Sequence, residues 1–292
     1  MPHRALVVLL TITTLLGVHV TGRAQNASPL PTTAAMGTPV SPGAEITTEE
    51  VARVSLPAAA IPPPPAIVDV WLWSLSPGQE MAFAAGELPT SIAADVVLSG
   101  EVTVHSDGQL QVQRTQGVEE VPPGTAVTIR AREAVIYVDN QTAQTVRNAS
   151  DDWARAISFG VFSTSPPSPL SIGPVSPEDW QRSGLVGHDL VVTVERLTVA
   201  PGVSLPAFTP DVRTPRIFAV AEGVAQWVPI AADAATPTRP VSFRRDWVMW
   251  FTMLGAGEQL QVRNDQDRPL VLLQVTVSAD SSGPAAEATP TS

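Results

Sequence analysis

The chain of 292 residues contains no cysteine. That absence excludes disulfides, thiolate metal sites, thiol nucleophiles and an N-terminal lipid-bearing cysteine. Lysine is missing as well: all 17 basic residues are arginine, a bias attributed to GC-rich codons rather than to function. Against them stand 28 acidic residues, giving a formal charge of −11 and a pI near 4.7. A chain so acidic is poorly suited to a phosphate backbone, which argues against a nucleic-acid partner. Tyrosine occurs once and histidine four times, so chemistry that needs several imidazoles has little to draw on. What is present is a hydrophobic fraction of 44%, enough for a real core and too much for a wholly disordered chain. The length allows one large domain or two ordinary ones.

The 29 prolines are distributed unevenly. Residues 5–16, ALVVLLTITTLL, form an apolar run after a short start carrying His3 and Arg4. The run is short for a membrane span and suits a signal-peptide core. Gly22-Arg23-Ala24 supplies small residues for cleavage after Ala24, so residues 1–24 read as a signal peptide and the mature chain as secreted. No other stretch is long and apolar enough to cross a bilayer, so no stable membrane span is expected after cleavage. Residues 25–66 are rich in Ala, Pro, Ser and Thr and end in Pro62–Pro65, which reads as a disordered, extended spacer. The tail 279–292 has the same composition and the same reading. Asn26, Asn140 and Asn148 each begin an Asn-X-Ser/Thr triplet, too short a signal to assign glycosylation.

Between 67 and 278 the chain is a succession of short β-branched apolar runs bounded by Gly, Pro, Asn and Asp. Several alternate polar with apolar, the period of a strand, and helical periodicity is nearly absent. One short capped helical turn is expected at Pro177–Gln181. The chain is therefore all-β. It is also internally repeated. Trp73-Ser-Leu-Ser-Pro-Gly78 matches Leu197-Thr-Val-Ala-Pro-Gly202. A Leu-Pro loop, a strand ending in Gly100 or Gly223 and a closing Val-Arg-Asn (146–148; 262–264) follow in both halves. The expected units are 67–165 and 187–278, joined by a connector at 166–186. Glycines 78, 100, 202 and 223 are expected in turns or close backbone approaches.

This order of strands, Pro-Gly, Glu222-Gly223 and Arg-Asn resembles the cupin superfamily. Arg132-Glu133 and Arg245-Asp246 stand where that family usually has Gly-Asp. The resemblance implies two tandem jelly-roll (double-stranded β-helix) barrels, a bicupin. Two immunoglobulin-like sandwiches also fit short strands, but the repeated turn motifs favour the jelly roll. Metal-binding cupins carry three His and a Glu at fixed spacing. By counting, those positions fall on Ala84, Gly86, Ala93 and Gln144 in the first unit, and on Phe208, Pro210, Arg216 and Leu260 in the second. None of these sets can bind a divalent ion as His and carboxylate would, so no metal and no cofactor are expected. The histidines outside the signal, His105 and His188, do not combine into a triad, and no catalytic residue is identified.

By the same resemblance, Arg216 and Phe218 share an inward strand face in the second unit. With Phe208 and Trp250 they form the candidate ligand site: one fixed charge among apolar walls, suited to a small polar or anionic ligand. Asp211 and Asp246 are the alternative partners for Arg216. The first unit, with Ala93 at the matching position, is expected to serve as a structural partner. Trp71 and Trp73 share one strand face and are expected to pack between the units. Three functions stay open: a ligand-binding or interaction module, a metal-independent cupin enzyme of isomerase or lyase type, and a purely structural extracellular protein. A homo-oligomer is compatible with each.

Overall fold

Strand β1 (Ile46–Leu56) runs antiparallel to residues 190–199, far along the chain, and so belongs to the second half of the molecule. The computed structural model describes residues 45–88, 91–139, 141–163, 177–209, 213, 215–230, 240–244, 248–250 and 259–280. The side chains of 229, 244 and 248–250 are excepted. The signal segment, Asn26, Asn140, Pro210, Asp211, Asp246 and the tail beyond 280 lie outside the described residues. So does the side chain of Trp250.

The first barrel begins with β2 (Ala66–Leu75), β3 (Glu80–Phe83), β4 (Ser91–Ser99) and β5 (Glu101–Ser106). A hairpin of β6 (Leu110–Arg114) and β7 (Gly117–Val121) follows. Then come β8 (Val127–Arg130), β9 (Ala134–Tyr137), β10 (Gln144–Arg147) and β11 (Ala154–Ser163). One sheet has the order β2-β11-β4-β9-β6-β7 and the other β3-β10-β5-β8. These are the two facing sheets of a jelly roll, with the β6–β7 hairpin extending one of them.

A short helix, α1 (Pro177–Arg182), stands where the capped turn was expected. The second barrel comprises β12 (Leu190–Val199), β13 (Arg216–Glu222), β14 (Val224–Ile230), β15 (Val241–Arg244), β16 (Val248–Trp250), β17 (Gln259–Arg263) and β18 (Leu270–Ala279). Its sheets read β1-β12-β18-β13-β16 and β15-β14-β17. Residues 204–208 run beside β17 through the bridges Ser204–Arg263 and Phe208–Leu260, in the position that β3 takes beside β10. The jelly-roll order is therefore present twice.

Strand β1 corrects the expectation that 25–66 is a disordered spacer. The averaged composition of that stretch hides ITTEEVARVSL. Its Val51, Ala52, Val54 and Leu56 are buried once β12 supplies a backbone partner. Its Glu49 also pairs with Arg132 of the first barrel and, at 3.6 Å, with Arg196 of β12.

Three cores result. Alternation along β4 turns Ala93 and Val97 into the first barrel and Ile92, Ala94 and Val96 outward. The outward set joins Val68 and Val70 of β2, Ile157 of β11, Val54 and Leu56 of β1, and Val192, Ile217 and Val275 of the second barrel in one continuous core. Each barrel thus gives one sheet a second buried face. Both faces are apolar, so water is excluded from between them. Trp180 of α1 and Leu185 cover this shared core.

The repeated Arg-Asn motif has a structural explanation. Asn148 and Asn264 are fully buried. The side-chain amide of Asn148 donates to the carbonyls of Leu75 (3.0 Å) and Asp152 (2.7 Å). Asn264 does the same to Val199 (2.9 Å) and Arg268 (2.8 Å). These contacts tie the last strand of each barrel to its first. They also leave Asn148 inaccessible as a glycosylation acceptor in the folded chain.

Candidate functional site

The positions counted for a metal do not come together as ligands. Ala93 is buried on β4 between Gly160 and Tyr137, and a methyl group has no lone pair to give. Gln144 is buried on β10 opposite Phe83 and Ser106. In the second barrel Leu260 is buried in the core, and Arg216 brings a cation where a carboxylate would be needed. Among the described residues no group of three or more His, Asp or Glu side chains could hold a metal ion. The residues present do not fit the His and Glu metal centre that the resemblance implies. His105 lies within β5 on the register opposite Val104, facing away from the barrel interior, and His188 is exposed beside the connector.

At the second barrel, β13 buries Phe218 and leaves Arg216 exposed two residues earlier on the same face. The Arg216 guanidinium lies over the ring of Phe208, 5.7 Å from its centre. Phe208 and Phe218 are 5.6 Å apart, and Phe218 meets Trp227 edge-on at 5.5 Å. Trp227 in turn meets Phe243 at 5.9 Å. Three of the four expected site residues are thus brought together, with the charge at the rim and the aromatics descending into the core. Among the described residues Arg216 makes no ion pair.

The first barrel holds a site that the sequence reading missed. Of the buried polar residues described, Asp69, Ser91, Asp95, Ser106, Gln144, Asn148 and Ser158 all belong to it, whereas the second barrel contributes Asn264. Strand alternation places Asp69, Trp71, Trp73 and Leu75 of β2 on its inner face. The two tryptophans therefore line the first barrel instead of packing between the units, because the outward register of β2 is taken by Val68 and Val70. Trp73 Nε1 donates to Ser158 Oγ at 2.7 Å. Ser158 Oγ donates to Asp95 Oδ1, and the Tyr137 hydroxyl donates to Asp95 Oδ2 at 3.0 Å.

Burial raises the Asp95 carboxyl to about 6, against the opposing pull of the hydrogen bonds from Ser158, Tyr137 and Trp73. Burial, and then the Asp95 charge, push the Tyr137 phenol well above its ordinary value. Tyr137 is therefore a neutral donor at physiological pH. The shared face of Trp71 and Trp73 was legible by alternation, but not which side it faces; the missed signal was Asp95 within an otherwise apolar strand.

Among solved structures the chain is similar to AerE from Microcystis aeruginosa, with 9% identity, 78% of this chain and 98% of that chain covered, and a TM-score of 0.39. It is also similar to vicilin from Corylus avellana, hazelnut, with 13% identity, coverage of 73% and 76%, and a TM-score of 0.39. The oxalate decarboxylase of Lactobacillus farciminis, in a formate complex, matches with 11% identity, coverage of 73% and 78%, and a TM-score of 0.39. No protein-family model and no curated protein matches the sequence. The strand order of each barrel is that of a jelly roll, present twice. No described helix is long and apolar enough to cross a membrane.

Proposed function

We propose that this chain is a metal-independent bicupin that is exported and binds a small anionic ligand at the mouth of its second barrel. One observation carries the reading. Arg216 is held at the rim by the Phe208 ring and makes no ion pair among the described residues. A guanidinium fork so placed can take a carboxylate or sulfate through two parallel hydrogen bonds. Phe208, backed by Phe218, offers an apolar wall for the remainder of the ligand. Export rests on the apolar run 5–16 and the cleavage site after Ala24.

The test is a thermal-shift titration with small organic acids and uronic acids. Wild type is expected to rise with at least one of them, and Arg216→Gln to lose that response. Identical responses of the two chains to every compound would remove the site.

A further inference from the structure

The inner face of the first barrel combines features that its packing alone does not require. Asp95 is buried in a wall of apolar side chains with neutral donors around it. Among the described residues no basic side chain compensates it at close range. On the inward register of the neighbouring β6, Arg114 stands beyond Leu110 and Val112, away from Tyr137. It is held there by Glu119 (2.6 Å) and Glu133 (2.8 Å). Ser158, Tyr137 and Trp73 take up to three of the four or so lone-pair positions of the Asp95 carboxylate, which leaves room for one further donor. Ser91, two pleat repeats from Asp95 at the start of β4 and about 13 Å away along the strand, has 3% of its surface exposed. Its Oγ has no hydrogen-bond partner among the described residues.

Between Ser91 and Asp95 the wall carries almost no side chain, because Ala93 pairs across the sheet with Gly160. The Phe162 ring packs directly on Gly160: a Cβ there would lie 2.4 Å from two ring atoms. Phe162 and Trp71 are 6.0 Å apart, and both are half-buried, as is Trp73.

We propose that the first barrel is a separate binding site for a small organic cation, a primary ammonium on an apolar or aromatic body. Asp95 serves as its counter-charge, and Trp71, Trp73 and Phe162 as its walls. Indole faces attract an ammonium through their quadrupole, more strongly once water is displaced. A carboxylate beyond them supplies the charge that neutral hydrogen bonds leave uncompensated. The chain's net charge of −11 also favours the approach of a cation. The two barrels would then take ligands of opposite sign. This reading does not depend on Arg216.

The cation pairs with ionised Asp95, so binding should weaken on acidification through the range in which that carboxyl titrates. The other charged or titratable groups facing it are Asp69 of β2 and Tyr137 of β9. The inward residues of β5, β8 and β10 are Val, Ile, Ser106 and Gln144. Tyr137 stays protonated throughout, and β11 presents Ser158.

The experiment compares benzylammonium chloride with benzyl alcohol and with sodium chloride at equal ionic strength. Binding is followed by calorimetry and thermal shift on the full chain. The expected result is saturable binding of benzylammonium and not of benzyl alcohol, about tenfold weaker at pH 5 than at pH 7. Asp95→Asn should weaken it at least tenfold and abolish the pH dependence, while Arg216→Gln leaves both unchanged. Should Asp95→Asn not fold, Trp71→Ala and Phe162→Ala serve instead, each expected to weaken binding several-fold. Equal binding of benzyl alcohol and benzylammonium would overturn the proposal by reducing the site to an apolar cavity. So would binding that all three variants leave intact, or no binding at all.

Discussion

The backbone N–H of Gly78 donates to the carbonyl of Asn148 at 2.8 Å, and that of Gly202 donates to the carbonyl of Asn264 at the same distance. The two motifs that repeat along the sequence, Pro-Gly and Arg-Asn, are therefore one structural unit in each barrel. Asn148 N–H returns a bond to Gln79 O, and Asn264 N–H returns one to Val203 O, each at 2.9 Å. A turn that must present its N–H in this way needs φ near +75° at Gly78 and +73° at Gly202. Glycine is the residue that adopts such angles without strain.

Replacing either asparagine should test this unit. Asn148→Ala leaves the Leu75 and Asp152 carbonyls without their donor, and Asn264→Ala does the same to Val199 and Arg268. Each change is expected to cost about 2–4 kcal/mol in chemical denaturation, from the desolvation of buried unpaired carbonyls. A loss under about 0.5 kcal/mol, as for an ordinary surface change, would contradict the assignment.

The expected glycines should not be equivalent. A Cβ on Gly100 would lie 2.7 Å from Trp153 O and 2.9 Å from Ala154 Cα, backbone atoms that cannot step aside. Around Gly78 nothing lies within 4 Å, so strain from its φ is the main penalty there. Gly78→Ala should cost about 1–2 kcal/mol. Gly100→Ala should cost at least about 3 kcal/mol, where strain and overlap add. Melting curves of the two variants give the comparison directly.

Strand β1 makes a prediction that a spacer would not. Leu56 has none of its surface exposed and lies in the core shared by both barrels. Leu56→Ala is expected to lower stability by about 2–5 kcal/mol, as in any packed core. Urea titration reads this, and a neutral outcome would return the segment to the role of a linker.

The buried carboxyl sets a pH dependence of definite sign. Asp95 titrates near 6 in the folded chain, above the 3.8 of the free group, so the folded state holds the proton more tightly. Its contribution is present in full below about pH 4 and is lost as pH rises through about 6. Asp95→Asn removes a titrating group and should flatten this part of the curve. Stability of the two chains measured from pH 4 to 7 should therefore converge toward the acid end and diverge, in favour of the variant, toward neutrality. Parallel curves would show that Asp95 does not titrate in this range.

Much of the architecture was legible in the sequence, because its signals are local and short-range. Alternation in Glu101–Ser106 and Leu190–Val199 specifies strands, Gly and Pro specify the turns between them, and their recurrence specifies two units. That Arg132 stands where the resemblance implies Gly was visible in the letters; that it adopts φ 73° is decided by the turn. The shared face of Arg216 and Phe218 was implied by the family resemblance together with strand alternation, whereas the contact of Arg216 with the Phe208 ring was not legible.

What the letters could not decide is whatever depends on which distant surface a segment meets. ITTEEVARVSL has few large apolar residues, and only the edge of β12 and the shared core make it a strand. Trp71 and Trp73 lie on one face by alternation, but which face is inward depends on the second barrel covering the other. Asp95, Ser158 and Tyr137 are dispersed along the chain and acquire a joint chemistry only where β4, β9 and β11 lie side by side. By itself the sequence determined the strands of the two repeats, their turns and their duplication, because these follow from backbone preference and side-chain period. The tertiary structure alone decided which faces became interior, and burial there is what turns an ordinary carboxyl into one that titrates near 6.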